Sequence, residues 1–309
     1  MEPVSSRIGE TSENTRRQVL VIYNPTAGQH KQHRYGAVMN ALGKMGVTVV
    51  EKPTTKRGDA ERLASEIAAH QFDAVVIAGG DGTINEAING LHAVSPPLAI
   101  IPLGTANVLA AELGLEADPD VIARTIATGE SNPIHLGLAN QRRFTMMAGI
   151  GIDSHVVQGV SPSLKRMMGK GAYVWQTLIE LCRFPSPAYT VTIENVRHDV
   201  GSAVFANGHF YGGRFVTAPE ARLEDPALHA CLLAGRGRWN LVRYGMALTR
   251  NRLAALKDVQ TIRFDKAEIE GPVGDPVHAD GDIIGGLPVT VELDPQPVQV
   301  VQPSNSANC

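Results

Sequence analysis

Ala74-Val75-Val76-Ile77-Ala78-Gly79-Gly80-Asp81-Gly82-Thr83-Ile84-Asn85-Glu86-Ala87-Ile88-Asn89-Gly90 runs from an unbroken apolar stretch, through three glycines, into a segment of a different period. Ala74 to Ala78 is short and rich in Val and Ile, as a strand covered on both faces must be. Ile84, Ala87, Ile88 and Leu91 recur at helical spacing. A strand that breaks into glycines and restarts as a helix makes an anion site: the glycines let the backbone approach, and the free N–H groups and helix dipole favour phosphate. Asp81 stands inside those glycines, where a bare phosphate cradle gains nothing from a like charge. Its presence calls for a metal ion, a proton to move or a hydroxyl to hold.

Upstream and downstream the same unit repeats. Val19 to Tyr23 reads as a strand ending in the turn Asn24-Pro25-Thr26-Ala27-Gly28, with a helix following to about Met45. Val47 to Val50 is a second strand and Asp59 to His70 a second helix, with Ala60, Leu63, Ala64 and Ile67 on one face. Leu98 to Ile101 is a further buried strand, followed by Pro102-Leu103-Gly104-Thr105-Ala106-Asn107 and a helix from Val108 to Leu113. Repeated strand–helix units predict an α/β domain with a parallel sheet, and strand ends of one parallel sheet share an edge. The loops Asn24 to Gly28, Gly79 to Thr83 and Gly104 to Asn107 therefore line one crevice. Thr54 to Asp59 adds cations and another helix N-terminus.

Beyond about Ile134 the texture changes. Short strand-like segments at Tyr189 to Glu194, Ser202 to Ala206, His229 to Leu233, Val259 to Phe264 and Val289 to Leu293 are separated by Gly, Pro, Asn and Asp. They predict an antiparallel β-rich second domain, with helical insertions near Leu164 to Arg183 and Trp239 to Leu256. The expected partition is a polar flexible tail at 1–18, a nucleotide-binding domain at 19–134, a substrate domain at 135–288, and from 289 to 309 a strand returning to the first domain plus a tail.

The 309 residues suit two domains, each with its own core. A net charge of −3 gives no general attraction to nucleic acid or anionic lipid, so any membrane contact must be local. Cys182, Cys231 and Cys309 are too widely spaced for a zinc cluster or a disulfide framework and suit a reducing cytosol. No run approaches the roughly 18 apolar residues of a membrane span. The expected location is cytoplasmic, at most peripheral to the inner membrane face. Neither Gly-x-x-x-x-Gly-Lys-Ser/Thr nor Gly-x-Gly-x-x-Gly after a strand is present, so a nucleotide must be held by loop amides with side chains such as Asn24, Thr83 and Thr105.

Asn24-Pro25-x-x-Gly28, Gly79-Gly80-Asp81-Gly82-Thr83-x-Asn85-Glu86 and Pro102-Leu103-Gly104-Thr105-x-Asn107 occur in the order and spacing of the diacylglycerol kinase catalytic domain family, which includes bacterial lipid kinases and sphingosine kinases. The resemblance continues through Phe144-x-x-x-Ala148-Gly149-Ile150-Gly151, Ala206-Asn207-Gly208-x-x-Tyr211-Gly212-Gly213, Ala218-Pro219-x-Ala221 and Asp280-Gly281-Asp282. It implies a nucleotide domain like that of NAD kinases and phosphofructokinases, and ATP-dependent, Mg²⁺-dependent phosphorylation of a lipid hydroxyl at a membrane surface. Carried over by position, the ATP contacts are Asn24, Pro25, Gly28, Thr55, Gly79 to Thr83, Asn85, Glu86, Gly104, Thr105 and Asn107, and the substrate contacts are Asp280 and Asn207.

The resemblance offers two proton acceptors. Asp81 has that role in the sphingosine kinase branch, while bacterial lipid kinases use the acid of a late Asp-Gly-Glu motif. That acid maps to Asp282, one methylene shorter here; Asp282 is the favoured base, with Asp81 serving metal and phosphate. A bacterial magnesium site maps to Asp225 with the carbonyls of Arg222 and Ala227, but Pro226 replaces the family's glycine and removes an amide donor. Two other readings remain open: a kinase of a soluble hydroxyl compound, as in NAD kinases, and a non-catalytic lipid-binding pseudokinase. Lys165, Arg166 and Lys170 ahead of Tyr173, Val174 and Trp175 make either a basic amphipathic membrane contact or a helix packed on its own domain, the latter preferred. The lipid and the oligomeric state are open, a homodimer being possible.

Overall fold

The computed structural model describes residues 15–28, 31–160, 176–177, 179–180 and 183–304. The basic stretch from Lys165 to Trp175, most of the predicted helical insertion around it, Cys182 and Cys309 lie outside the described residues. The first domain is built on β1 (Gln18–Tyr23), β2 (Thr48–Pro53), β3 (Ala74–Gly79) and β4 (Leu98–Pro102), all parallel, in the order β2-β1-β3-β4. Alternate residues of β1 feed opposite faces. Leu20 and Ile22 pack against α2 (Asp59–Ser65) and α3 (Asp81–Gly90), and Val19 and Val21 against α1 (Gln32–Lys44) and α5 (Pro119–Thr128). The intervening α4 (Val108–Glu112) follows β4. Every residue of β3 is buried, as its unbroken apolar sequence requires.

Several elements differ from the sequence expectation. The second helix stops at Ser65 rather than His70. The α5 helix was not anticipated; its start is set by Asp118, whose side chain accepts from the Asp120 and Val121 amides, and by Pro119. The expected tail is fastened from Arg16 onward: its guanidinium donates to the carbonyls of Ile126 and Gly129, and Gln18 already belongs to β1.

The second domain pairs two six-stranded antiparallel sheets. One contains β6 (Gly137–Ala139), β7 (Arg142–Phe144), β9 (Tyr189–Ile193), β10 (Val196–Val200), β16 (Lys266–Glu270) and β19 (Val289–Leu293). The other contains β8 (Met147–Ile150), β11 (Ser202–Ala206), β14 (Leu228–Leu233), β15 (Val259–Phe264), β17 (Pro276–Ala279) and β18 (Asp282–Gly286). Their inner faces, among them Phe144, Tyr189, Phe205 and Val291, share one apolar core. The helix α6 (Ile152–Gly159) follows β8, the hairpin β12 (Phe210–Tyr211) and β13 (Phe215–Val216) stands apart, and α7 (Arg238–Thr249) links β14 to β15. Val289–Leu293 stays in this domain. The return to the first sheet is made by β20 (Val298–Gln302), parallel to β4 and antiparallel to β5 (Glu130–Ile134). Among the described residues no helix is long and apolar enough to cross a membrane.

The two domains meet at a polar joint centred on Asp280. Its Oδ2 accepts from the Thr145 amide (2.6 Å), the Thr145 hydroxyl (2.8 Å) and Asn85 Nδ2 (2.8 Å), and its Oδ1 from the Met146 and Met147 amides (2.9 and 3.1 Å). Asn85 lies on α3, so one carboxylate from the second domain holds the helix that opens with Asp81. Arg143 adds to the joint, ion-pairing with Asp294 (2.6 Å) and donating to the carbonyl of Leu91 (2.7 Å), while Arg142 reaches Glu61 on α2 (2.7 Å).

A second buried polar cluster sits beside it. His278 Nε2 lies 2.6 Å from Asp153 Oδ2, and the Tyr211 hydroxyl donates to Asp153 Oδ1. Gly149 makes room for it; a Cβ there would overlap the imidazole and lie 2.8 Å from the Asp153 carboxylate. Burial alone would lower the imidazole pKa, but the charge and hydrogen bond of Asp153 outweigh it and hold His278 above its ordinary value. Burial would likewise raise Asp153, yet His278 and Tyr211 hold it below the usual carboxylate range. Each partner thus favours the charged form of the other.

Asp280→Ala leaves three backbone amides without their acceptor and should destabilise the protein by at least about 3 kcal/mol in denaturant unfolding. For His278 the folded pKa is raised, so its contribution is complete below about pH 6.5 and fades as pH rises through the folded value. His278→Gln should therefore cost roughly 3 kcal/mol at about pH 6, with a smaller deficit at about pH 10. A deficit that does not vary with pH would contradict a charged pair.

Candidate active site

The loops after β1, β3 and β4 lie side by side because their strands are neighbours, and the contacts between them are too close for side chains. A Cβ on Gly104 would sit 2.6 Å from the Gly80 Cα and 2.7 Å from Asn107 Oδ1. Gly28 has φ +55, and a Cβ there would overlap the Leu103 carbonyl, so the first loop rests directly on the third. Asn24 Nδ2 donates to the Thr83 hydroxyl (3.0 Å) while its Oδ1 accepts from the Thr26 amide and hydroxyl, joining the first loop to the second. Lys31 Nζ donates to the Gly104 carbonyl and Arg34 to the Pro102 carbonyl (3.0 Å). The single crevice expected from the parallel sheet is present.

The start of α3 is the open part of that crevice. Its N-cap is Gly80, with no side-chain cap, and the space where Gly82 would carry a Cβ is empty. The first intrahelical amide bond is from Ile84 to the Gly80 carbonyl, so the amides preceding it are the donors an anion can use. Thr83, Glu86 and Pro25 flank this start, half-buried, and Thr105 is exposed on the third loop. Thr55 differs from expectation: its hydroxyl and amide both donate to Asp59 Oδ2, at 2.6 and 2.8 Å. Those bonds hold the Asp59 carboxyl down at about 2 and commit Thr55 to the loop.

Asp81 serves a different helix from its own. Its Oδ1 accepts from the Val108 amide (2.7 Å), capping α4, while Asn107, the positional cap, has φ +49 and a buried Oδ1 with no partner. Burial pushes the Asp81 carboxyl above its ordinary value, partly offset by the Val108 amide and reinforced by the charge of Asp280. A buried carboxylate in that state gains from a cation.

Asp282 faces the same cleft from the second domain. It ion-pairs with Arg57 of the loop between β2 and α2 at 3.0 Å, the two side chains being 38% and 73% exposed. The Thr54 to Asp59 loop was expected to supply a cation; its pairing with the late acid is what the structure adds.

Asp280 and Asn207 do not occupy the substrate-facing positions expected of them. A carboxylate offers about four lone pairs, and Asp280 already accepts five bonds from the joint. Asn207 is fully buried, with Nδ2 donating to the carbonyls of His135 (2.8 Å) and Thr145 (2.7 Å). The Asp225 turn does not form a cation cage. Asp225 is exposed, its amide bonds the Arg222 carbonyl, and the Arg222 guanidinium folds back on the carbonyls of Pro219 and Ala221. Among the described residues no three His, Cys, Asp or Glu side chains are grouped so as to hold a metal ion.

Sequence reasoning missed His278, Asp153 and Arg143. The alternation His278, Asp280, Asp282 at the strand end was a signal for the first. Nothing local marked Asp153 or Arg143, whose ionic partners, His278 and Asp294, are more than a hundred residues away.

Residues 18–139 match the diacylglycerol kinase catalytic domain, and residues 146–302 match the YegS C-terminal NAD kinase beta sandwich-like domain. A diacylglycerol kinase of Mycobacterium tuberculosis is 30% identical over 297 residues, covering 93% of this chain and 95% of the relative. A diacylglycerol kinase of Bacillus subtilis is 27% identical over 304 residues, covering 94% and 98%. A solved structure titled as a diacylglycerol kinase from Bacillus anthracis superposes with a TM-score of 0.75 at 22% identity, covering 94% of this chain and 98% of that one; it speaks for the fold. With both domain models matched in order along the chain, this protein belongs to the diacylglycerol kinase catalytic domain family.

Proposed function

We propose that this protein transfers the γ-phosphoryl group of ATP to the hydroxyl of a lipid, of the diacylglycerol kind, in the cleft between its domains. The observation that carries the reading is the juxtaposition across that cleft: an uncapped helix start among touching glycines on one side, and Asp282, held by Arg57, on the other. When bound, ATP with Mg²⁺ brings the phosphoryl group and neutralises charge developing on its oxygens.

This chain's residues supply alignment. The amides at the start of α3, with Gly80 and Gly104 keeping side chains out of the way, suit the phosphates. Asp81, its charge opposed by burial, suits a metal ion carried by those phosphates. The two carboxylates are not equivalent: Asp81 Oδ1 is committed to the Val108 amide, while Asp282 has only an exposed ion pair, worth at most about 1 kcal/mol. Arg57 can therefore turn to a phosphate oxygen at little cost, leaving Asp282 Oδ2 to accept the proton of the attacking hydroxyl. Because the Asp225 turn lacks a cage, no step depends on a second metal there.

Asp81→Asn keeps an oxygen for the Val108 amide but loses the charge. It should unfold within about 1 kcal/mol of the parent. Its transfer of radiolabelled γ-phosphate to diacylglycerol in mixed micelles should fall on the order of 100-fold or more. Undiminished transfer would remove Asp81 from the site, and tight ATP binding with no transfer by the parent to any lipid would favour a pseudokinase. Arg57→Ala should raise the KM for ATP by roughly tenfold, leaving the melting temperature unchanged. An unchanged KM would confine Arg57 to its ion pair.

A further inference from the structure

The segment 235–257, which carries α7, contains six Lys or Arg and no Asp or Glu in a chain whose net charge is −3. Its inner face is anchored: Leu241 and Tyr244 are buried, and Leu248 packs on the same core. The outer face is unusual for a soluble protein, because it is apolar as well as cationic. Trp239, Val242 and Met246 recur at helical spacing, with Trp239 77% and Met246 49% exposed. Arg238 lies over the Trp239 ring, 5.9 Å from its centroid. Arg243 is spent on Asp258, but Arg236, Arg238, Arg250 and Arg252 are exposed and no described carboxylate is within ion-pair distance of them.

The neighbouring hairpin extends this surface. Asn251 Oδ1, just past α7, accepts from the Val216 amide (3.2 Å), placing β13 beside the helix. Arg214 and Phe215 are exposed there, and Tyr211, paired with Phe215 across the hairpin, bonds Asp153 in the cluster next to Asp280 and Asp282. One hairpin thus connects the apolar cationic face to the acceptor side of the cleft.

We propose that the outer face of α7 and the β12–β13 hairpin form the surface that docks this protein on an anionic bilayer. The occupant follows from the chemistry of the face. An unpaired Trp and Met at the centre of a cationic rim suit the acyl–headgroup boundary, where the rings gain hydrocarbon contact and the arginines meet anionic headgroups. A second copy of the chain is disfavoured, because a two-fold contact would bring these arginines against themselves. The inference rests on the lipid-kinase reading for its purpose, whereas the vesicle-binding arms of its test require no turnover.

The test uses the full chain with vesicles of phosphatidylcholine and phosphatidylglycerol in an about 3:1 ratio, against phosphatidylcholine alone. In a Trp175→Phe background, Trp239 emission should shift to the blue and be quenched by brominated acyl chains only with the anionic vesicles. The pair Trp239→Ser with Met246→Ser, and the triple change of Arg236, Arg238 and Arg250 to Gln, should each weaken co-sedimentation by about tenfold or more. Both should still phosphorylate a short-chain, monomerically dissolved acceptor at the parent rate. Unaltered vesicle binding by both variants, an unmoved Trp239 emission, or loss of a dimer or of an acidic protein partner in place of vesicle binding would overturn the proposal. Normal vesicle binding without phosphoryl transfer to any lipid would leave the docking surface standing and count against the kinase reading.

Discussion

The arrangement of the two domains depends on how the Asp280 carboxylate is satisfied. Thr145, Met146 and Met147 turn their amides inward between β7 and β8, where water does not compete, and each needs an acceptor. One anion supplies all three and still bonds Asn85 on α3. Because the same residue occupies the turn between β17 and β18, with φ +48, satisfying those amides fixes where Asp282 begins. Removing the acceptor would leave the amides unpaired and uncouple the two sides of the cleft together. Arg143 and Asn89 broaden the joint, with Arg143 and Asn89 exchanging backbone and side-chain bonds at 2.9 and 3.1 Å.

This constraint also clarifies the acid inside the glycine loop. A carboxylate in a phosphate cradle is electrostatically awkward, and burial together with the nearby Asp280 makes Asp81 more so. The fold offsets the penalty in part by aiming the α4 amides at it. The remainder would be relieved by a bound cation or by a proton. Asp282, in contrast, is held by an exposed partner and is free to change that partner during a reaction.

How much was legible in the sequence follows from the range of each interaction. The parallel sheet and the convergence of the three loops were readable because they rest on local periods and on glycines whose neighbours in the chain declare the strand end. The β-rich second domain was readable from alternation, as in Tyr189–Ile193, whose residues are buried at every second position. What was not readable is set by distant partners. Asp280 and Asn207 stand in motifs that resemble the family's, so the resemblance assigned them to substrate, whereas their bonds reach Thr145 and His135, 135 and 72 residues away. Asp225 looked like a metal ligand, but in the fold it is exposed on its turn, and the Arg222 carbonyl expected beside it accepts from the Asp225 amide. The short α5 was missed although Asp118-Pro119 is a helix start, because its apolar face, Ile122, Ala123 and Ile126, spans barely two turns.

Amide hydrogen exchange at Thr145, Met146 and Met147 tests the joint most directly. If Asp280 holds the domains as described, these amides exchange only through global unfolding in the parent protein, and in Asp280→Asn they and the Asn85 turn of α3 lose protection together. Rapid exchange at those positions in the parent, or protection that survives the substitution, would contradict the account.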